Sequence, residues 1–408
     1  MPTLGNLWVN HTTLRYKYNI SFSKFLFFQT ISPEKNYRRH ISCNEHKEKL
    51  IAMKTIKRAT LLLLFAIIFG ASPTIACTGI SLHAADGSYI QARTIEWAAS
   101  PLPSEYVIIP RGKKLRSYTP TGRNGIAFTS RYGVVGLSVV ESDFIAEGIN
   151  EAGLSAGLFF FPRYGSYEPY DEANNATTLA DLQVVEWLLT QFATIEELKA
   201  AVESLRIVGL DSSAVVHWRI GEPSGREVVM EIVGGDIHFY DNHIGVLTNA
   251  PGFEWQMANL ANYVNLRAGS AQPLRLGEVT LQPLGGSSAM LGLPGDFTPP
   301  SRFVRAALFR NTAPERATGE AAIEQAFHLL NNFDVPIAVE NPDERELPSA
   351  TQWTSAIDLT ARKIYYKTAY NSTIRCIALS DIDFATVEYG AYPLDRVQQQ
   401  PIEFVTIE

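Results

Sequence analysis

The sequence predicts an α+β fold in which strands come in antiparallel runs and helices interrupt them in groups. Three observations predict it. Short apolar segments flank turn signals at Asp86-Gly87 and at Asn150-Glu151-Ala152-Gly153, the pattern of hairpins. Helical periodicity is confined to a few windows, first Leu179–Phe192 and Ile195–Leu205. Strand and helix do not alternate as a parallel βαβ chain would require. Two sheets packed face to face, with helices outside, suit that order.

Taken in order, the first strands are Cys77–His83 and Tyr89–Thr94, then Phe144–Ile149 and Leu154–Phe161. In the first helical window Leu182, Val185, Trp187, Leu188 and Leu189 recur at three and four. Both windows carry a capping-box pair, Thr178 with Asp181 and Thr194 with Glu197. Hairpin strands resume at Ala214–Ile220, Glu227–Val233 and Ile237–Tyr240, with Ser224-Gly225 and Gly234-Gly235 at the turns. The apolar segment Ile244–Pro251 reads as a strand that stops at a polar amide, Asn249. Phe253–Leu266 is expected to be helical, and the Gly- and Pro-rich Pro273–Pro300 a long loop of the kind found in functional segments or subunit contacts. Helices at Phe303–Phe309 and Ala321–Leu330 precede strands Trp353–Leu359, Lys363–Tyr366 and Ile374–Leu379.

Residues 1–52 show no periodicity and precede a second start at Met53, so they read as an over-called start. From Met53 the chain reads as a signal peptide: basic Lys54, Lys57 and Arg58, an apolar run Leu61–Phe69, and small residues ending Thr74-Ile75-Ala76. Cleavage after Ala76 would leave Cys77 first in a single 332-residue domain, 77–408 (408 residues less 76), destined for the periplasm or secretion. Of 35 basic and 42 acidic residues, 11 and 3 precede Cys77, so the remainder carries 24 against 39, a net charge of −15. Such acidity argues against a nucleic-acid partner. No apolar run from Cys77 onward reaches the ~18 residues of a membrane span. With Cys43 removed, Cys77 and Cys376 make no disulfide framework, and no Cys or His cluster has metal spacing. Cys376 reads as a core strand residue.

Cys77 has three readings: a small buried residue, a lipidated cysteine, or an N-terminal nucleophile. A lipoprotein site calls for an aliphatic residue three before the cysteine and finds Thr74. As a nucleophile, Cys77 would carry thiol and α-amine on one residue, with the amine (typical pKa ~7.7–8.0) as a built-in base. The hairpin brings Arg93, Thr94 and Glu96 to the neighbouring strand. A guanidinium favours a thiolate, and a carboxylate can orient an α-ammonium; on an ordinary strand the same two residues would be a surface ion pair. Asn249 at a strand end could donate to an oxyanion or be an ordinary turn residue. Gly295–Phe303 could deliver Arg302 inward or simply cap a helix. Gly153-Leu154-Ser155-Ala156-Gly157 fits a serine nucleophile elbow in letters, but that motif needs a following helix, and Leu158-Phe159-Phe160-Phe161 continues as strand. His217, His238, His243 and His328 read as structural, with no acid at useful spacing.

Five segments in this order resemble the choloylglycine hydrolase family of penicillin V acylases and bile salt hydrolases. They are the Cys77 start, Ala92-Arg93-Thr94-Ile95-Glu96-Trp97, Gly148-Ile149-Asn150-Glu151-Ala152-Gly153-Leu154, Thr248-Asn249-Ala250-Pro251 and Leu293-Pro294-Gly295-Asp296-Phe297-Thr298-Pro299. The resemblance implies an N-terminal nucleophile hydrolase, a four-layer αββα sandwich of antiparallel sheets, that cleaves a linear amide without a cofactor. It implies Cys77 as nucleophile, Arg93 as its basic neighbour, Asn249 and the backbone N–H of Phe160 as oxyanion donors, and Arg302 as the second arginine. Glu96 stands where many members have Asp. Trp97, Phe144, Phe159, Phe161, Tyr164 and Trp255 lie near these segments and are expected to form an aromatic acyl pocket. That pocket favours a small-molecule amide of penicillin V type, with long-chain acyl-homoserine lactones second and conjugated bile salts as the alternative. A lipid-anchored binding protein without catalysis is the alternative from another class. Members commonly assemble, so a homotetramer is expected, the mature chain being free of the membrane.

Overall fold

A computed structural model describes residues 76–97, 102–211, 215–336 and 350–407. Residues 1–75, read above as an over-called start and, from Met53, as a signal peptide, lie outside the described residues. Cys77–His83 (β1) and Tyr89–Trp97 (β2) pair antiparallel through the Asp86-Gly87 turn, where Gly87 takes a φ of +88° that side chains avoid. Ser104–Ile109 (β3), Val134–Val139 (β4), Glu141–Asn150 (β5) and Ser155–Phe160 (β6) follow. The Asn150 side chain holds the β5–β6 turn: Oδ1 accepts from Ala152 and Leu154, and Nδ2 donates to the carbonyls of Leu189 (2.8 Å) and Phe192 (2.7 Å). That amide ties the hairpin to the helix Val184–Gln191 (α1).

Ile195–Val202 (α2) leads to Val216–Gly221 (β7), Glu227–Val233 (β8) and Asp236–Asp241 (β9). Next come Val246–Leu247 (β10), Phe253–Leu260 (α3), Pro299–Thr312 (α4) and Gly319–Leu330 (α5). Ala350–Asp358 (β11), Lys363–Thr368 (β12), Arg375–Ala378 (β13) and Gly390–Pro393 (β14) close the chain. A six-stranded sheet runs β10-β1-β2-β11-β12-β13 and an eight-stranded sheet β9-β8-β7-β6-β5-β4-β3-β14, every pairing antiparallel. Helix α1 packs on β5 and β6 outside the larger sheet, and α4 and α5 on β1, β2 and β11 outside the smaller one. The expected αββα layering is therefore the observed one.

Strand parity sets what lies between the sheets. On β2, Tyr89 Oη and Gln91 Nε2 donate across to Glu227 of β8 (2.9 and 2.6 Å), and Arg93 reaches the Leu158 carbonyl of β6. Odd positions of β1 and β2 thus face the other sheet and even positions face the helices.

Several sequence expectations are corrected. The window Leu179–Phe192 begins as strand, with Thr178–Ala180 pairing in parallel with Arg206–Val208, and becomes α-helical only at Val184. Asp181 is buried and accepts from the N–H groups of Leu182 and Leu210, so it does not cap a helix with Thr178. The Thr194 box forms with a shift: Thr194 accepts from Glu197 N–H, while the Glu197 carboxylate takes the N–H of Ala193. Between Pro273 and Pro300 the chain makes a small hairpin, Leu274–Leu276 with Val279–Leu281. Helix α4 begins four residues earlier than expected because Pro299 and Pro300 occupy first-turn positions whose N–H groups have no helical partner. Cys376 is exposed rather than core, because β13 is the edge of the smaller sheet. Ser155 lies in a strand that continues to Phe160, so the G-x-S-x-G letters form no nucleophile elbow. No described helix is long and apolar enough to cross a membrane.

Candidate active site

The head of β1 is gripped from three directions. Ala76 and Cys77 are both buried, and the Ala76 carbonyl accepts from Glu96 N–H at 2.8 Å. Cys77 N–H donates to Asn249 Oδ1 at 2.7 Å. Asn249 arrives because β10 pairs with β1, Leu247 opposite Gly79, and the chain leaves the sheet two residues later. From the first turns of α4, Arg302 donates through Nη1 to the Cys77 carbonyl (2.5 Å) and Thr78 Oγ1 (2.8 Å), through Nη2 to Asn249 Oδ1 (2.8 Å), and through Nε to the Phe297 carbonyl (2.8 Å). With two donors on Oδ1, the other end of the Asn249 amide is fixed as donor, and Nδ2 donates to the Phe160 carbonyl at 2.9 Å. In a strand a residue's N–H and C=O point the same way, so the Phe160 N–H is directed to the Asn249 side, away from β7.

Arg93 shares the inward face with Cys77. Its guanidinium lies over the Phe159 ring (4.1 Å to the centroid) and donates to the carbonyls of Leu158 (2.5 Å), Ala146 (3.1 Å) and Thr94 (3.2 Å). Burial raises the thiol pKa of Cys77 above its ordinary value, Arg93 and Arg302 oppose that rise, and Glu96 adds to it. Glu96 lies three residues beyond Arg93 and so falls on the opposite face of β2. There Thr351 donates to its Oε1 at 3.0 Å, while Oε2 is buried without a hydrogen-bond partner. Burial pushes this carboxyl up to about 7 against the pull of Arg302.

Of the six aromatic residues expected in an acyl pocket, Phe161 and Tyr164 pack together with ring centroids 6.1 Å apart. Phe159 and Phe161 are fully buried, Phe159 beneath Arg93 and Phe161 stacked on His217 with centroids 4.3 Å apart. Phe144 is buried edge-on to Tyr118, and Trp97 is half-buried at the end of β2. Tyr164 and Trp255 are each 46% exposed.

Sequence reasoning missed two inward-facing charged residues, Glu147 and Arg219, and the acid that partners His217. Glu147 and Arg219 sit between the sheets, joined at 3.1 Å, and Arg93 lies 3.5 Å from the same carboxylate. His217, read as structural with no acid at useful spacing, has Nδ1 2.9 Å from Glu231 and Nε2 2.9 Å from the Thr248 carbonyl, one residue before Asn249. The available signal was a charged residue inside an otherwise apolar strand, at Glu147 and Arg219. Among the described residues no group of three or more His, Cys, Asp or Glu is placed to hold a metal.

Two face-to-face antiparallel sheets between helical layers, with a cysteine heading a central strand, define the N-terminal nucleophile hydrolase class. Residues 77–392 match the family model of linear amide C–N hydrolases, choloylglycine hydrolase family, and the chain belongs to that family. It is a hydrolase of linear amide bonds. It is 32% identical over 327 residues to a bile salt hydrolase/transferase of Clostridium perfringens, covering 78% of this chain and 97% of that one. A solved variant of the conjugated bile acid hydrolase from Clostridium perfringens superposes with a TM-score of 0.71 at 30% identity, covering 81% of this chain and all of that one. Penicillin V acylase from Agrobacterium tumefaciens gives a TM-score of 0.62 at 25% identity, covering 76% of this chain and 88% of that one.

Proposed function

We propose that Cys77, freed as the first residue when the leader is removed on export, is the nucleophile that cleaves amides of the conjugated bile salt type. The observation that carries this is the convergence of Asn249 and Arg302 on the backbone of Cys77 at the head of β1. The thiol sulfur attacks the amide carbonyl carbon, and its proton passes to the α-amine. Asn249 Nδ2, which lies 2.9 Å from the Phe160 carbonyl, and the Phe160 N–H would donate to the oxygen that gains charge. Collapse of the tetrahedral adduct breaks the C–N bond as the α-ammonium gives its proton to the departing amine, leaving a thioester that water hydrolyses. Glu96 supplies an unpartnered buried oxygen near the chain start for the ammonium form, and Arg302 keeps Cys77 and Asn249 in register. No step calls for a cofactor.

The order of substrates differs from that read in the sequence. The argument for an aromatic or aliphatic acyl group rested on a pocket of six aromatic residues, and two of those are packed between the sheets. The relatives with the greater identity are named as bile salt hydrolases. The penicillin V acylase likeness keeps phenoxyacetyl amides as the second reading, and acyl-homoserine lactones have no comparable support. Release of cholate, phenoxyacetate and fatty acid from their amides by the processed enzyme separates the three. The cholate amide is expected to have the highest kcat/KM by about tenfold or more; faster phenoxyacetate release reverses the order.

The exposed apolar residues Leu274, Leu276, Val279 and Leu281 on one hairpin support the expected homotetramer. Light scattering should then give four times the chain mass, and a monomer mass at micromolar concentration rejects it.

A further inference from the structure

The strand ladders of the larger sheet place Glu147 of β5, Gly157 of β6 and Arg219 of β7 in one row. The facing row of the smaller sheet holds Arg93 of β2 opposite Gly79 of β1. Both glycines are there for space. A Cβ at Gly157 would collide with Glu147 Oε2, and one at Gly79 would come within 2.8 Å of Phe159 and 2.9 Å of Arg219. Into the gap go two guanidinium groups and one carboxylate, none of them with exposed side-chain surface. Arg219 Nη2 donates to Glu147 Oε1 at 3.1 Å, Arg219 Nη1 donates to the Ile80 and Ala92 carbonyls, and Arg93 Nη1 stands 3.5 Å from Glu147 Oε2. Phe159 lies against both cations, its centroid 4.1 Å from Arg93 Cζ and 5.5 Å from Arg219 Cζ.

Burying a charge is costly unless it is paired, and a second buried arginine on one carboxylate adds a cation where a neutral Arg–Glu pair would have served the fold. That neutral pair would also cancel the field of Arg93 at the thiol. We propose that Arg219 is a positioning residue that engages Glu147, so that the charge of Arg93 reaches Cys77 uncompensated. The proposal rests on the reading of Cys77 as nucleophile.

The charged groups around this thiol are Arg93 and Glu96 from β2 and Arg302 from α4, with the Asn249 amide after β10. Behind them lie Glu147 and Arg219. The nearby acid Glu227 is taken by Tyr89, Gln91 and Asn242, and Glu231 by His217. Exchanging Arg219 or Glu147 therefore alters the balance at Arg93 in opposite senses, which a merely structural role would not do.

The test is the pH profile of Cys77 alkylation by iodoacetamide in the processed enzyme, with Cys376→Ala present throughout so that one thiol reacts. Arg219→Met is expected to move the midpoint up by about one unit, making alkylation about tenfold slower below it, and Glu147→Gln to move it down by a similar amount. Arg219→Lys should restore the profile. Glu96 titrates in every variant, so the difference between variants is what is read. If Arg219→Met fails to fold, Glu147→Gln decides alone, and the double variant should return to the starting midpoint. An unmoved midpoint in Glu147→Gln, or shifts of the same sign in both single variants, overturns the proposal. Failure of the nucleophile reading is separate: it would appear as activity surviving in Cys77→Ala.

Discussion

Cys77→Ala is expected to lower amide hydrolysis by at least about a thousandfold while the protein stays folded. Removing a nucleophile removes every step that passes through the thioester, and such losses are among the largest that single substitutions cause. The fold should survive because what β1 contributes at this point is backbone: the N–H to Asn249, the carbonyl to Arg302 and the ladder to β2. Loss of one buried sulfur leaves a small cavity costing about 1 kcal/mol. Cys77→Ser should also lose most turnover, since a hydroxyl has no readily formed anion. Cys376→Ala is the control: it lies exposed on the edge strand β13, so turnover should be unchanged and stability should move by less than about 0.5 kcal/mol. Steady-state kinetics with thermal melts of the three variants tests this, and substantial hydrolysis by Cys77→Ala on every amide tried would remove the mechanism.

The second large effect is that of any residue left before Cys77. With Ala76 in place the Cys77 nitrogen is an amide whose N–H donates to Asn249, and an amide nitrogen has no basic lone pair to take the thiol proton. Removing Ala76 turns the same atom into an amine with a pKa of ~7.7–8.0. It also releases the Glu96 N–H from the Ala76 carbonyl at the point where an ammonium would form. A chain that keeps Ala76 is therefore expected to be inactive, by about a thousandfold or more, and to gain activity on cleavage. Mass spectrometry of the N-terminus with a parallel activity assay checks both halves. An active protein whose mass retains Ala76 contradicts the role of the α-amine, and a diacylglyceryl mass on Cys77 would make it a lipid-anchored protein with a blocked thiol.

The site was legible as far as motifs reach. Arg93, Asn249 and Arg302 come to Cys77 or its face, because each is delivered by a short local device: a tight hairpin, a strand end, and a proline-started helix. Parity alone puts positions 93 and 96 on opposite faces of β2. What the letters lacked was which parity faces the second sheet. The aromatic run Leu158-Phe159-Phe160-Phe161 was open in the same way, since a strand buried on both faces gives no sign of which side is core.

By itself the sequence determined the hairpins, the sheet-and-helix class and the cysteine that heads the first strand, since turn residues, two-residue alternation and motif order are properties of neighbours along the chain. Only the tertiary structure decided the rest. Thr178–Ala180 is strand and not helix because it pairs with Arg206–Val208, and Cys376 is exposed because its strand ends a sheet. Glu147 meets Arg219 72 positions away because ladders on either side of Gly157 align them. Buried charge can persist only where its partners are brought to it, and partners so distant in the chain are fixed by register between strands, which no local pattern records.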